Sequence, residues 1–149
     1  MNELSAKDVY KSLETSYMEI TKQYIFLNEG NLQERMMHHP SIFAFFGAVL
    51  ALAKYEEERA EVEFEKREAE IREARREEIV SSGKRATDRA LDAYLKTVPE
   101  LRTLVKIASR KTYLFNLAKN IMSALASQKD MIVQLSANRR AEAKLIEQN

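Results

Sequence analysis

The sequence predicts an all-α protein, an elongated helical bundle in which two long helices pair as an antiparallel coiled-coil hairpin, with an oligomeric assembly. Three observations carry this. Helix breakers are scarce, with three Gly and two Pro in 149 residues. Charged residues make up 32% of the chain, a share that suits long solvated helices. Apolar residues recur at three- and four-residue spacing, and no run of four or more residues alternates with the period of a strand. An N-terminal helical segment is expected over 1–39, and the long helical hairpin over 40–149 is expected to form one structural unit and to carry the assembly and binding surfaces.

Each element has its own signal. Val9, Leu13, Met18, Ile20, Tyr24 and Leu27 are spaced for a first helix over 5–28. "NEGN" at 28–31 stops it, with Gly30 suited to a left-handed cap. A short helix over 31–38 is allowed, and Pro40 then suits a helix start, where its missing N–H costs nothing. A helix from Ser41 to about Val80 begins with the apolar run "SIFAFFGAVLALA". From Lys54 on, its stripe narrows to Ala60, Phe64, Ile71, Ala74 and Ile79 among charges, as in a coiled coil. Pairs such as Glu63–Arg67 and Glu68–Arg72 support it. "SSGK" at 81–84 is the joint, and a short helix follows from about Thr87 to Lys96. In "TVPE", Thr97 and Glu100 have the spacing of a capping box. The last helix, from Val98 to near Leu145, carries a stripe of Leu104, Ala108, Phe115, Ala118, Met122 and Leu125, with Ile132 and Leu135 beyond. Long narrow stripes of this kind need more than one hairpin to bury them, which predicts an oligomer.

Several chemistries find no support. The chain has no Cys, so it offers no disulfide, no thiol nucleophile and no Cys-type zinc site. His38 and His39 adjoin and cannot share a helix face. Glu34 and His38 are four apart, but two ligands do not make a metal site, and both histidines are expected at the surface or as caps. Asp88 and Asp92 are one turn apart without an electrophile nearby, and are expected to favour the dipole at a helix start. "SSGKRAT" lacks a phosphate loop's first glycine, since position 78 is Glu, and no strand precedes it. No Ser has a histidine base with a third orienting group. The expectation is a protein that is not an enzyme and uses no cofactor or metal. The start "MNELSAKDVYK" has no signal-peptide pattern, and the thirteen-residue apolar run falls short of the roughly 20 residues that span a bilayer. It also lacks the basic opposite face of a membrane-surface helix. A cytoplasmic protein without a membrane partner is expected.

Charge is distributed unevenly. The net charge is +1. Residues 1–53 carry four Lys or Arg against six acids, 54–80 carry seven against eleven, and 81–149 carry thirteen against six. The densest excess lies at 81–111, with Lys84, Arg85, Arg89, Lys96, Arg102, Lys106, Arg110 and Lys111 against Asp88, Asp92 and Glu100. Tyr94, Tyr113 and Phe115 are interleaved. Cations with aromatics suit a phosphate backbone with stacked bases. The same pattern also suits a solvated or intersubunit helix face with the aromatics in the core.

The order of features carries a resemblance. "HHPSIFAFFGAVLALAKYEEERAEVEFEKREAEIREARR", then "GKRATDRALDAYLKTVPELRTL", then "LAKNIMSALASQKDMIVQLSANRRAE" resemble the phage recombination mediators of the UvsY type over about residues 38–142. The resemblance implies a small helical protein that forms rings and binds single-stranded DNA without sequence preference. Such a protein helps a RecA-like phage recombinase load onto strands covered by single-strand-binding protein, in the cytoplasm of the infected cell. Its implied DNA contacts are Lys84, Arg85 and Arg89 at the joint and Lys106, Arg110 and Lys111 early in the last helix. Ser127, Gln128, Lys129 and Asp130, with Arg139 and Arg140, match the polar closing helix, where assembly and further DNA contact are expected. The alternative from a different class is a helical scaffold or interaction protein, such as a chaperone or an inhibitor of a host protein, with no nucleic-acid role.

Overall fold

Helix formation starts at a double cap. The Asp8 amide donates to the Ser5 hydroxyl and the Ser5 amide to the Asp8 carboxylate, each at 3.2 Å. This reciprocal pair satisfies donors that a helix start otherwise leaves open. In the computed structural model, which describes residues 5–28 and 30–147, helix α1 (Ala6–Ile20) follows this cap. It widens into a single π-turn, Thr21–Ile25, and the chain leaves at Phe26 (φ −59°, ψ 124°). The helical path therefore ends before residue 28. Gly30 is not left-handed either, since Gly83 is the one described residue with positive φ. The turn forms without it, because Asn28 and Asn31 each donate a backbone amide to the other's side-chain oxygen, at 2.8 and 3.0 Å.

Three further helices follow: α2 (Leu32–Ser81), α3 (Asp88–Leu95) and α4 (Pro99–Glu147). With no strand among the described residues, the chain is all-α. Pro40 does not open a helix; it lies inside α2. A proline within a helix forfeits one hydrogen bond, at a cost of about 3 kcal/mol. Tertiary packing on both sides holds the helix through it: Leu32 before it and Phe46 and Val49 after it are almost fully buried.

The chain divides into two compact units, one of Met1–Ala53 with Leu114–Asn149 and the other of Lys54–Tyr113. In the first, Val9, Leu13 and Ile20 of α1 form a core with Phe46, Val49 and Ala53 of α2 and Ala118, Ile121 and Leu125 of α4. Each fully buried large side chain here contributes about 1.5–3 kcal/mol. The π-turn that follows α1 is finished by its neighbours. A helix terminus leaves its last carbonyls without intrahelical donors, and side chains supply them. Gln128 Nε2 donates to the Tyr24 and Ile25 carbonyls at 3.1 and 2.8 Å, and Arg35 donates to the Gln23 carbonyl. His39 is buried rather than superficial, with Nε2 2.9 Å from the Leu125 carbonyl oxygen and its ring stacked on Phe43. His38 is exposed as expected.

The uncharged stretch of α2 is longer than the thirteen-residue apolar run, because Met36, Met37, His38, His39 and Pro40 extend it without charge. Helix α2 thereby holds an 18-residue window of mean hydropathy 1.5, long and apolar enough to cross a membrane, of which 22% is buried. The core helix of a soluble protein passes the same test.

In the second unit, Glu56 pairs with Lys111 at 3.0 Å and Arg67 with Glu100 at 2.7 Å. Stepping forward along α2 from 56 to 67 matches stepping back along α4 from 111 to 100, so these two stretches run antiparallel. Ala60, Phe64, Ile71 and Ile79 of α2 are half-buried, as are Leu104 and Ala108 of α4, while Ala74 is exposed. At the joint, α2 is followed by Gly83 (φ 74°), whose amide donates to the Val80 carbonyl while that of Lys84 donates to the Ile79 carbonyl. This left-handed glycine cap supplies donors to two carbonyls of the last turn, and the Ser82 hydroxyl also donates to that of Ile79, at 2.6 Å. Thr87 caps α3 by accepting from the Ala90 amide at 3.3 Å.

Candidate nucleic-acid interface

The basic segment 81–113 lies wholly in the second unit, and its local structure decides which charges face outward. Helix α3 buries Leu91 and Leu95, which turns the remaining sides of the helix to α2's flank and to solvent. Its two acids are both taken up by α2. Asp92 pairs with Arg72, and Asp88 lies 3.8 Å from Arg76. Tyr94 lies under the Arg75 guanidinium, 4.6 Å from carbon to ring centroid. These contacts give Asp88 and Asp92 specific cationic partners on α2 beyond the helix dipole.

The third acid of the segment behaves in the same way. Glu100 accepts from Arg67 Nε at 2.7 Å and from a terminal nitrogen of Arg67 at 3.1 Å, a two-pronged pair. These hydrogen bonds, and then the nearby positive charge, hold the Glu100 carboxyl below the usual carboxylate range. Glu100 therefore does not complete a capping box. Thr97 does not either: its hydroxyl donates to the Tyr94 carbonyl at 2.6 Å. Helix α4 starts instead on Pro99, whose fixed φ and missing N–H suit a first helical position. Of the two α2 pairs expected from spacing, Glu68–Arg72 forms at 3.9 Å; Arg67 bonds Glu70 and Glu100.

All three acids of 81–113 are thus paired with arginines of α2. Lys84, Arg85, Arg89, Lys96, Arg102, Lys106 and Arg110 are exposed. Among the described residues the side chains of Lys84, Arg85, Arg89 and Lys106 have no ion pair. Lys111 differs, being half-buried and paired with Glu56. Arg102 anchors its Nε on the Lys96 carbonyl at 3.1 Å. Arg139 and Arg140 belong to the other unit and are exposed, Arg140 donating Nε to the Ser136 carbonyl at 3.2 Å. Gln128, grouped with them by sequence, is buried and occupied by the π-turn after α1. The interleaved aromatics separate: Phe115 packs against the core of the first unit, Tyr94 is covered by Arg75, and Tyr113 is half exposed.

Each unit also carries a concavity. A shallow groove of about 380 Å³ beside Tyr94 is lined by Arg67, Arg75, Glu70 and Glu78, a balanced set of charges. In the first unit, an apolar groove of about 430 Å³ is lined by Met36, Pro40, Phe43, Ile132 and Val133, with His39 and Lys129. No group of three or more His, Asp or Glu among the described residues is placed to hold a metal ion. No family model, no curated protein and no solved structure matches the chain.

Proposed function

We propose that the protein is a non-enzymatic, single-stranded-DNA-binding recombination mediator that helps load a RecA-like phage recombinase onto strands covered by single-strand-binding protein. It acts in the cytoplasm of the infected cell as a homo-oligomeric ring, with α2 and α4 paired as an antiparallel coiled-coil hairpin. The polyanion part of this reading is supported by one observation above all. Asp88, Asp92 and Glu100, the acids that offset the basic segment in the sequence, are each paired with an arginine of α2. Lys84, Arg85, Arg89 and Lys106 are exposed and have no ion pair among the described residues, and a phosphate backbone that binds them releases its counterions. The recombinase, the single-strand-binding protein and the ring rest on the resemblance to UvsY-type mediators.

Fluorescence anisotropy with labelled oligo-dT at two salt concentrations tests the reading. Binding at low salt that weakens steeply at high salt is expected, since each phosphate contact adds to the salt dependence. Binding that is absent at low salt, or indifferent to salt, overturns it. The second reading, a helical scaffold or interaction protein, is favoured by the apolar groove at Met36, Pro40 and Phe43, where Met36 and Phe43 are 45% and 37% exposed. It gains if DNA binding fails.

A further inference from the structure

We infer that Tyr113 stacks on an unpaired nucleic-acid base while Arg102 and Lys106 hold phosphates beside it, so that preference for single strands resides in this ring. The inference rests on the polyanion reading above and assigns separate roles within that site.

Residues three and four apart are neighbours on a helix surface, and Arg102, Lys106, Arg110 and Tyr113 follow one another at four, four and three. All four are exposed, whereas the inward positions of the same stretch, Leu101, Leu104, Ala108 and Lys111, are buried or half-buried. The outward face of α4 therefore carries a line of cations about 6 Å apart along the axis, ending in an aromatic ring. Tyr113 is 50% exposed, enough to offer a face. Arg102 is already fixed at Nε by the Lys96 carbonyl, which leaves its two terminal nitrogens for phosphate.

Other rings of this unit suit the role less well. Tyr94 has its face under Arg75. Tyr55 is 60% exposed but adjoins Glu56, Glu57 and Glu58, whose charges repel phosphate. Stacking is indifferent to base identity because every base has a π-face, and it is worth a substantial part of single-strand affinity. It requires a base free of its duplex neighbours. The cations supply strength with any phosphate chain, and the ring supplies the distinction between paired and unpaired bases.

The test uses the full chain and three labelled ligands of equal length: oligo-dT, an abasic strand and a duplex. The wild type is expected to bind oligo-dT more tightly than the abasic strand. Tyr113→Ala should weaken oligo-dT binding about tenfold, the scale of one lost stacked base, and leave the abasic strand and duplex unchanged. Tyr113→Phe should keep wild-type affinity. Tyr113→Leu, with bulk but no ring, should behave like Tyr113→Ala. Equal binding of oligo-dT and abasic strand by the wild type, or wild-type affinity in Tyr113→Leu, overturns the stacking role and leaves the polyanion reading standing. A wild type that binds none of the three overturns both.

Discussion

Glu100 opens α4 in the sequence yet serves α2 in the fold, through its pair with Arg67. Its carboxyl is held low by Arg67, as that of Asp8 is held low by the Ser5 hydroxyl and then the Ser5 amide. An unfolded chain has no such partner, so its carboxyls take up protons near the ordinary value of about 4. Below that pH the unfolded state binds more protons than the folded one, and stability falls until the folded carboxyls also titrate. Thermal melts of wild type and Glu100→Gln from pH 7 to 3 check this. The variant should be less stable at pH 7, and the gap should close as the pH drops through the carboxylate range. A constant gap would sink the assignment. At this scale the sequence is a partial guide. Spacing along one helix reveals Glu68–Arg72, because both partners lie on that helix. Arg67–Glu100, His39 with the Leu125 carbonyl and Gln128 with the π-turn after α1 link residues far apart in the chain. Nothing local distinguishes a buried Gln128 from its exposed neighbours Ser127 and Lys129.

At the scale of elements, the helices followed local chemistry wherever a terminus was made by its own residues. The stop at Gly83 and the start at Thr87 are examples. Backbone at φ 74° costs a residue with a Cβ about 1–2 kcal/mol. A Cβ at Gly83 would meet nothing within 4 Å, so Gly83→Ala should lose about that amount through the backbone alone, as measured by urea unfolding. An unchanged midpoint would mean that the joint tolerates another path. Termini that answer to tertiary contacts were not legible. Pro40 reads as a start but is carried through by the burial of Leu32, Phe46 and Val49 around it. Thr97 and Glu100 have the capping spacing, but Tyr94 and Arg67 offer competing partners. The π-turn at Thr21–Ile25 had no sequence signal, since its carbonyls are completed from α2 and α4.

For the whole molecule, the nearly neutral net charge hides a surface whose sign is set by pairing. The basic excess at 81–111 was visible as composition; which acids would turn away from it was not, because their partners lie on α2. The same arrangement limits where a protease can enter. Outside the helices and the π-turn, the described lysines and arginines are Lys84, Arg85 and Lys96, and exposed loops are cut before helices. Limited trypsin digestion should nick first after Lys84 or Arg85, as read by mass spectrometry of the early fragments. Saturating oligo-dT should slow that cut if these residues bind phosphate. First cuts within α2 or α4 would contradict the helical assignment there.

The division into units also has a consequence for biosynthesis. The core of the first unit is assembled from two parts of the chain separated by the sixty residues of Lys54–Tyr113. When Phe46, Val49 and Ala53 leave the ribosome, Ala118, Ile121 and Leu125 have yet to be translated. At about 5–20 residues per second the delay is roughly 3–12 s. During that interval the nascent chain carries an uncovered apolar helix, while the contiguous second unit is free to form first.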